Sequence, residues 1–249
     1  MARTILVTGG AKRLGATLAR RLARDGHHVV IHYGSSGEAA RTLADDIGAV
    51  GVVQGDLADT GAIDDLFARS RAAAGGAIDG LVNCASTFAY DTPPALDPGL
   101  LARLYAIGHS SPVLLASAMA RQDDIADGAV IDILDQKVAN LNPDFFSYTA
   151  GKIALAGATT MLAQAIGPRI AVNAVAPGLS LPSGDQTEGE FRAVASENLL
   201  RRPVDPTDIA AAVSFLMTAH GVHGQTLYVD CGQRFLRRER DVMFEGADG

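Results

Sequence analysis

Short runs of β-branched and aliphatic residues recur along the chain and alternate with longer stretches whose apolar positions fall at helical spacing. The runs Thr4–Val7, Val29–Tyr33, Gly51–Gln54, Gly80–Asn83, Ala129–Leu134, Ile170–Val175 and Thr226–Val229 predict strands. Leu14–Arg24, Glu38–Ile47, Ala62–Ala73, Leu100–Ala120, Tyr148–Ile166 and Pro206–Ala219 predict helices between them. Strands that alternate with helices build βαβ units, which predicts an α/β fold: a doubly wound parallel sheet of about seven strands with helices on both faces. No linker, repeat or low-complexity block interrupts the rhythm, so one domain is expected. The stretch Leu179–Leu200 breaks it with Pro182, Ser183, Gly184, Asp185 and Gln186, then a short helix. A polar insert after a strand reads either as a substrate lid or as a surface loop.

Composition narrows the function classes. A chain of 249 residues can enclose a sizeable core in one α/β domain. Its net charge of −7 argues against nucleic-acid and anionic-membrane partners. Lys12-Arg13 is one basic spot; Arg237-Arg238-Glu239-Arg240, interleaved with acid, reads as part of a solvated tail. No apolar stretch approaches the roughly 18 residues a membrane span needs, and the run Ile5–Val7 is too short for a signal peptide. Cys84 and Cys231 form no metal or redox spacing, which predicts a reducing, cytoplasmic setting. His220 and His223 lack cysteine or carboxylate company, so no metal site is expected.

The first strand runs into Thr8-Gly9-Gly10-Ala11-Lys12-Arg13-Leu14-Gly15 and then a helix. Glycines there let backbone approach a pyrophosphate, and the helix N-terminus offers N–H donors and a positive dipole. The second strand ends Ile31-His32-Tyr33-Gly34-Ser35-Ser36, without the acid that would hold a free ribose 2′-hydroxyl. Lys12, Arg13, Ser35 and Ser36 supply the charge and donors a 2′-phosphate requires, so NADP(H) is favoured over NAD(H). Asp56 and Asn83 fall at carboxyl ends of strands, where ligands of such sheets bind, although either could be a turn residue or a helix cap. Tyr148 and Lys152, four apart on a predicted helix, share one face. A neighbouring ammonium draws a phenol's pKa down from about 10, which suits proton delivery beside a hydride transfer.

With Thr8–Gly15, Asp56-Leu57, Asn83-Cys84-Ala85-Ser86, Tyr148–Lys152 and Pro177-Gly178 in this order, the chain resembles the short-chain dehydrogenase/reductases over about residues 3–235. The likeness includes Arg202–Ile209 and Gly224–Gly232, and leaves 236–249 as a charged tail that is either a subunit-contact arm or frayed. It implies a Rossmann-like sheet, Tyr/Lys hydride-transfer chemistry and a homo-oligomer, usually a tetramer. It also implies a cofactor held by Gly9, Lys12, Arg13, Leu14, Gly15, Tyr33, Ser35, Ser36, Asp56, Leu57, Asn83, Ala85, Ser86, Tyr148, Lys152, Pro177 and Gly178. Asp56 would lie on the adenine and Pro177-Gly178 at the nicotinamide carboxamide.

Three departures from the common pattern are similar to the pteridine reductases and bacterial dihydromonapterin reductases. Arg13 replaces a glycine, Asp135 replaces the serine thirteen residues before Tyr148, and the run after the fourth strand continues Ser86-Thr87-Phe88. In those relatives the arginine reaches cofactor phosphates, the aspartate assists the tyrosine, and the phenylalanine sandwiches a pterin against the nicotinamide. A carboxylate would repel a developing alkoxide but could manage protons for a ring nitrogen, and Phe88 offers a face for a flat heterocycle. Asp135 could instead be a loop carboxylate, and Phe88 a core aromatic. A further position departs: Gly108 stands where many members have an asparagine supporting a proton relay, with His109 adjacent.

The resulting expectation is a cytoplasmic NADPH-dependent reductase of a dihydropterin, dihydromonapterin or dihydrofolate. Tyr148, Asp135 and Lys152 would be catalytic, and Arg13, Ser86, Phe88, Asp135, Tyr148 and Leu179 would contact substrate. A carbonyl reductase of the same family is the alternative enzyme; a non-catalytic NADP(H)-binding sensor or scaffold is the alternative outside enzymes.

Overall fold

All seven apolar runs become strands in the computed structural model, which describes residues 2–182 and 186–244. They are β1 (Thr4–Thr8), β2 (His28–Tyr33), β3 (Gly51–Gln54), β4 (Gly80–Asn83), β5 (Gly128–Ile133), β6 (Ile170–Pro177) and β7 (Thr226–Val229). They pair in parallel in the order β3-β2-β1-β4-β5-β6-β7. Parallel neighbours require crossovers, and the amphipathic stretches supply them. These are α1 (Arg13–Arg24), α2 (Gly37–Ile47), α3 (Ile63–Ala74), α4 (Pro98–Tyr105), α5 (Ser111–Ala120), α6 (Phe146–Ile166), α7 (Glu188–Ala195) and α8 (Pro206–Thr218).

Strand periodicity divides the core into two layers. Ile5, Val7, Val29, Ile31 and Ile131 face Leu18 and Leu22 of α1, Leu43 of α2, and Val213 and Met217 of α8. Leu6, Val30, Leu81, Val130 and Val172 face Leu66 and Phe67 of α3, Leu115 and Met119 of α5, and Ala163 of α6. Helices therefore cover both faces, as a sheet buried on both sides demands.

The predicted helix 100–120 is interrupted. Ala106–Ser110 winds as a π-helical turn between α4 and α5. Pro112 explains it: the ring has no N–H to give the carbonyl of Gly108 and pushes that carbonyl away, so the ladder opens by one residue. After β6, the insert contains α7, opened by a Thr187–Glu190 capping box. Ser183, Gly184 and Asp185 of the proposed lid, and residues 245–249 of the tail, lie outside the described residues. Among the described residues no helix is long and apolar enough to cross a membrane, and no group of His, Cys, Asp or Glu has metal-binding spacing.

Candidate active site

Strand order reverses between β1 and β4, and in such sheets the crevice beyond the carboxyl ends at that point is where ligands bind. A cavity of about 1060 Å³ lies there. At one end stands the turn from β1 into α1. A Cβ on Gly9 would come 2.8 Å from Ala85 Cα, and one on Gly15 would come 2.1 Å from the Gly9 carbonyl oxygen, so neither place admits a side chain. Thr8 ties this turn to the next strand end: its hydroxyl accepts from the N–H groups of Cys84 (3.0 Å) and Ala85 (3.1 Å). Lys12, the N-cap of α1, makes no side-chain cap, so no side chain there competes for the first N–H donors. These features fit a dinucleotide pyrophosphate, and Lys12, Arg13, Ser35 and Ser36 line the same end of the cavity.

Arg13 has φ +52°, the left-handed region that explains why a glycine is common at this place. Its guanidinium donates to the carbonyl oxygen of Pro182 at 2.6 Å, tying the glycine turn to the segment after β6. Two expected cofactor residues stand back from the cavity. Tyr33 is not on its lining and packs over Gly37 and the core; His32, one residue earlier, takes the place. His32 is buried, its Nδ1 accepts the Gly9 N–H (3.2 Å) and its Nε2 donates to the Gly55 carbonyl (3.1 Å). Burial pushes its pKa down to about 4, so the imidazole is neutral and supports the turn as an acceptor. Asn83 is likewise buried behind the cavity and donates to Asp132 Oδ1 at 2.8 Å.

Asp56 lines the cavity, where the Arg103 guanidinium forks onto its two oxygens at 3.2 and 3.3 Å. The Ala58 N–H, then Arg103, hold its carboxyl below the usual range. Leu57, Ala85, Ser86, Pro177, Gly178 and Leu179 also line the cavity. A Cβ on Gly178 would meet Asp230 Cα at 2.9 Å, which is why the chain can pass here only without a side chain.

The chemical centre forms where β5 ends and α6 begins. Tyr148 donates to Asp135 Oδ2 at 2.9 Å, and Asp135 Oδ1 accepts the Lys137 N–H at 2.8 Å. Lys152 donates to the Ile133 carbonyl at 2.6 Å, and its Nζ sits 5.7 Å from the Tyr148 ring centre. The effect on Tyr148 differs from expectation. Burial and then the adjoining Asp135 push its pKa well up, because the carboxyl touches the hydroxyl while the ammonium points elsewhere. Burial also raises Asp135 and lowers Lys152, so each group leans to its neutral form. Tyr148 and Asp135 therefore hold their protons more tightly, while Lys152 gives its own up more readily.

Two further features surround that centre. Phe88, 43% exposed, stacks on Phe145 at 4.0 Å and meets the Tyr148 ring edge-on at 5.0 Å. Asp91, which the sequence did not single out, accepts from the Ser147 N–H at 2.9 Å and from the Ser147 hydroxyl, anchoring the first turn of α6. His109, adjacent to Gly108, stacks on Tyr105 at 4.7 Å and does not line the cavity. Gly108 faces α6, where a Cβ would lie 3.7 Å from Gly151 Cα, an ordinary contact. Arg237, Glu239 and Arg240 of the tail are exposed as expected, yet the tail is anchored, since Arg240 pairs with buried Asp144 and Asp241 with buried Lys137 of the same chain, both at 3.0 Å.

A crevice where the strand order of a parallel α/β sheet reverses, lined by a glycine turn and by an acid, a tyrosine and a lysine, is an oxidoreductase-type site. Residues 9–234 match the family model described as Enoyl-(Acyl carrier protein) reductase. The chain belongs to the short-chain dehydrogenase/reductase family, in a pteridine reductase-like branch. FolM alternative dihydrofolate reductase 1 from Brucella canis, crystallised with NADP, is 38% identical, with a TM-score of 0.89 over 96% of each chain. The Cyclic-di-GMP-binding biofilm dispersal mediator protein of Escherichia coli is 31% identical over 86% of this chain and 89% of its own length. A 3-oxoacyl-acyl-carrier-protein reductase, FabG of Staphylococcus aureus, is 28% identical over 93% of this chain and 98% of its own.

Proposed function

We propose that this protein is an NADPH-dependent reductase of a dihydropterin-type substrate: a dihydropterin, dihydromonapterin or dihydrofolate. The observation that carries this reading is the Tyr148–Asp135 hydrogen bond of 2.9 Å beside the half-exposed ring of Phe88. The glycine turn, uncapped α1 and cationic Lys12-Arg13 suit NADP(H), the ligand with which the Brucella canis relative was crystallised. Bound NADPH supplies the hydride, which reaches a C=N carbon of the substrate ring. The ring nitrogen takes a proton from Tyr148, and Asp135, whose pKa burial raises, relays one to the phenolate. Lys152, four residues along the same helix, would bind the nicotinamide ribose. Phe88 and Ser86 hold the flat ring, with Leu179 beside it. A cytoplasmic homo-oligomer is part of this reading, supported by exposed apolar side chains on α6 (Ile153, Met161) and α8 (Phe215).

The test is NADPH consumption, followed by absorbance, with dihydrobiopterin, dihydromonapterin and dihydrofolate beside ketones and ketoacyl thioesters. Turnover is expected on the pterins. Asp135→Ala should lose at least 100-fold in kcat while NADPH affinity stays within about twofold, consistent with general acid–base contributions. Turnover on ketones alone would favour the carbonyl reductase reading, which the ketoacyl reductase relatives support.

A further inference from the structure

The last described stretch of chain reaches back to the chemical centre. Asp241, Val242 and Met243 line the same cavity as Asp135 and Tyr148. Three sets of contacts fasten this stretch to residues between Asp135 and Phe145. Asp241 accepts from Lys137 Nζ at 3.0 Å. Asp144 accepts from the Asp241 N–H at 2.8 Å and from Arg240 Nε at 3.0 Å. Phe244 lies 5.1 Å from Tyr90 and 6.0 Å from Phe145, the ring on which Phe88 stacks. Val242 is buried, and Asn140 donates to the Leu236 carbonyl at 2.8 Å.

Lys137 joins these contacts to the reacting groups. Its backbone N–H is the donor that holds Asp135 Oδ1, within a one-turn 3-10 helix (Gln136–Ala139) capped by Asp135 itself. Its side chain is buried and gripped at the far end by two oxygens: the Asp144 carbonyl at 2.6 Å and the Asp241 carboxylate at 3.0 Å. A single turn of 3-10 helix has little stiffness of its own. Its rotation, and with it the aim of Asp135, is set by where the buried ammonium is anchored. The ammonium also lies 5.4 Å from the Phe145 ring centre, so the same anchor bears on the aromatic stack.

We propose that Asp241 is a positioning residue: by anchoring the buried Lys137 it fixes the turn that presents Asp135 to Tyr148, and the C-terminal strap 240–244 is the wall that completes the substrate cavity. Asp241 touches neither Asp135 nor Tyr148; it holds the turn through Lys137, and its charge also raises the pKa of both groups. The strap belongs to the site, although it falls beyond the stretch that resembles the family at large.

The inference rests on the roles proposed for Asp135 and Tyr148, and three variants separate the two. Asp241→Asn removes the charge and keeps the shape; Asp241→Glu keeps the charge; Lys137→Met with Asp241→Asn removes the buried pair together. Replacing both partners of a buried pair commonly restores stability that removing one has cost. With wild-type substrate, Asp241→Asn should lower kcat by tenfold or more with the NADPH dissociation constant within twofold, and Asp241→Glu should recover most of it. The double variant should regain the melting temperature yet stay slow. If its kcat returns along with its melting temperature, or Asp241→Asn keeps full kcat, the positioning role is wrong. Hydrogen exchange over residues 136–144, read with no substrate, should speed up at least fivefold in Asp241→Asn; unchanged exchange there would also overturn it. Should the wild type reduce neither pterins nor ketones, the proposed function falls, while the exchange measurement still decides whether Asp241 holds the turn.

Discussion

At the scale of single residues, this site trades local comfort for chemistry. Arg13 occupies a left-handed backbone position that costs an ordinary side chain roughly 1–2 kcal/mol. What it gains is a guanidinium between the glycine turn and Pro182, on the cavity wall. Arg13→Gly is therefore expected to leave the melting temperature unchanged or raised, while weakening NADPH about tenfold, the value of roughly 1.4 kcal/mol for one charge-assisted contact. Fluorescence titration of NADPH reads this directly, and an unchanged dissociation constant would remove Arg13 from the cofactor site. Asp135 shows the same trade. Burial pushes this carboxyl towards its protonated form against the hydrogen bond from the phenol, unfavourable for a loop acid but suited to a group that must refill a tyrosine. Tyr148 and Lys152 could be picked out in the sequence by residue type and spacing, and Asp135 through the resemblance to relatives in which an aspartate replaces the serine before the tyrosine. Whether the lysine or the aspartate dominates the tyrosine could not, since that depends on which of them touches the hydroxyl.

At the scale of elements, the anchoring of α6 decides where the tyrosine stands. Phe145 precedes the helix in a left-handed conformation and offers no side-chain cap, so the first turn depends on Asp91 from the loop after β4. Asp91→Ala leaves the buried Ser147 N–H and hydroxyl without partners, at a cost of about 1–3 kcal/mol each. A drop in melting temperature of roughly 4–24 °C is expected by calorimetry for a chain this size. In single-turnover measurements the chemical step should slow with it, because Tyr148 stands next to the loosened residue. A slowed step with an intact melting temperature would assign Asp91 a more direct part. The strands were legible because each is a compact β-branched run whose register is set by burial on both faces. The π-helical turn was not, because the opening at Pro112 changes hydrogen bonding without changing the apolar spacing. Asp91 and Asp241 were hidden for another reason: their partners lie 56 and 104 residues away, and no local pattern marks a lone aspartate as one half of such a contact.

At the scale of the whole molecule, the sheet gathers buried ionisable groups around one cavity. His32, Asp132, Asp135, Tyr148 and Lys152 are all pushed by burial towards their uncharged forms, as expected where charge must be managed out of water. This gives folding a pH dependence whose sign differs between groups. The folded His32 stays neutral down to about pH 4, whereas in the unfolded chain it takes a proton near pH 6.5. Between those values the unfolded state binds more protons, so the His32 contribution is complete above pH 6.5 and falls as pH drops towards 4. For an almost fully buried ring the loss is about 3 kcal/mol, at 1.36 kcal/mol per pH unit. Asp132 and Asp135 act oppositely: with carboxyl pKa values raised by burial, their contribution is complete in acid and is lost as pH rises through the raised values. The two trends overlap, so wild-type stability alone cannot separate them. The difference between wild type and His32→Gln can, because the aspartates are common to both. Urea unfolding across a pH series should show that difference shrinking by about 3 kcal/mol between pH 7 and pH 4. A difference constant with pH would mean that His32 is not held neutral between Gly9 and Gly55, and the support it gives the glycine turn would have to come from elsewhere in the fold.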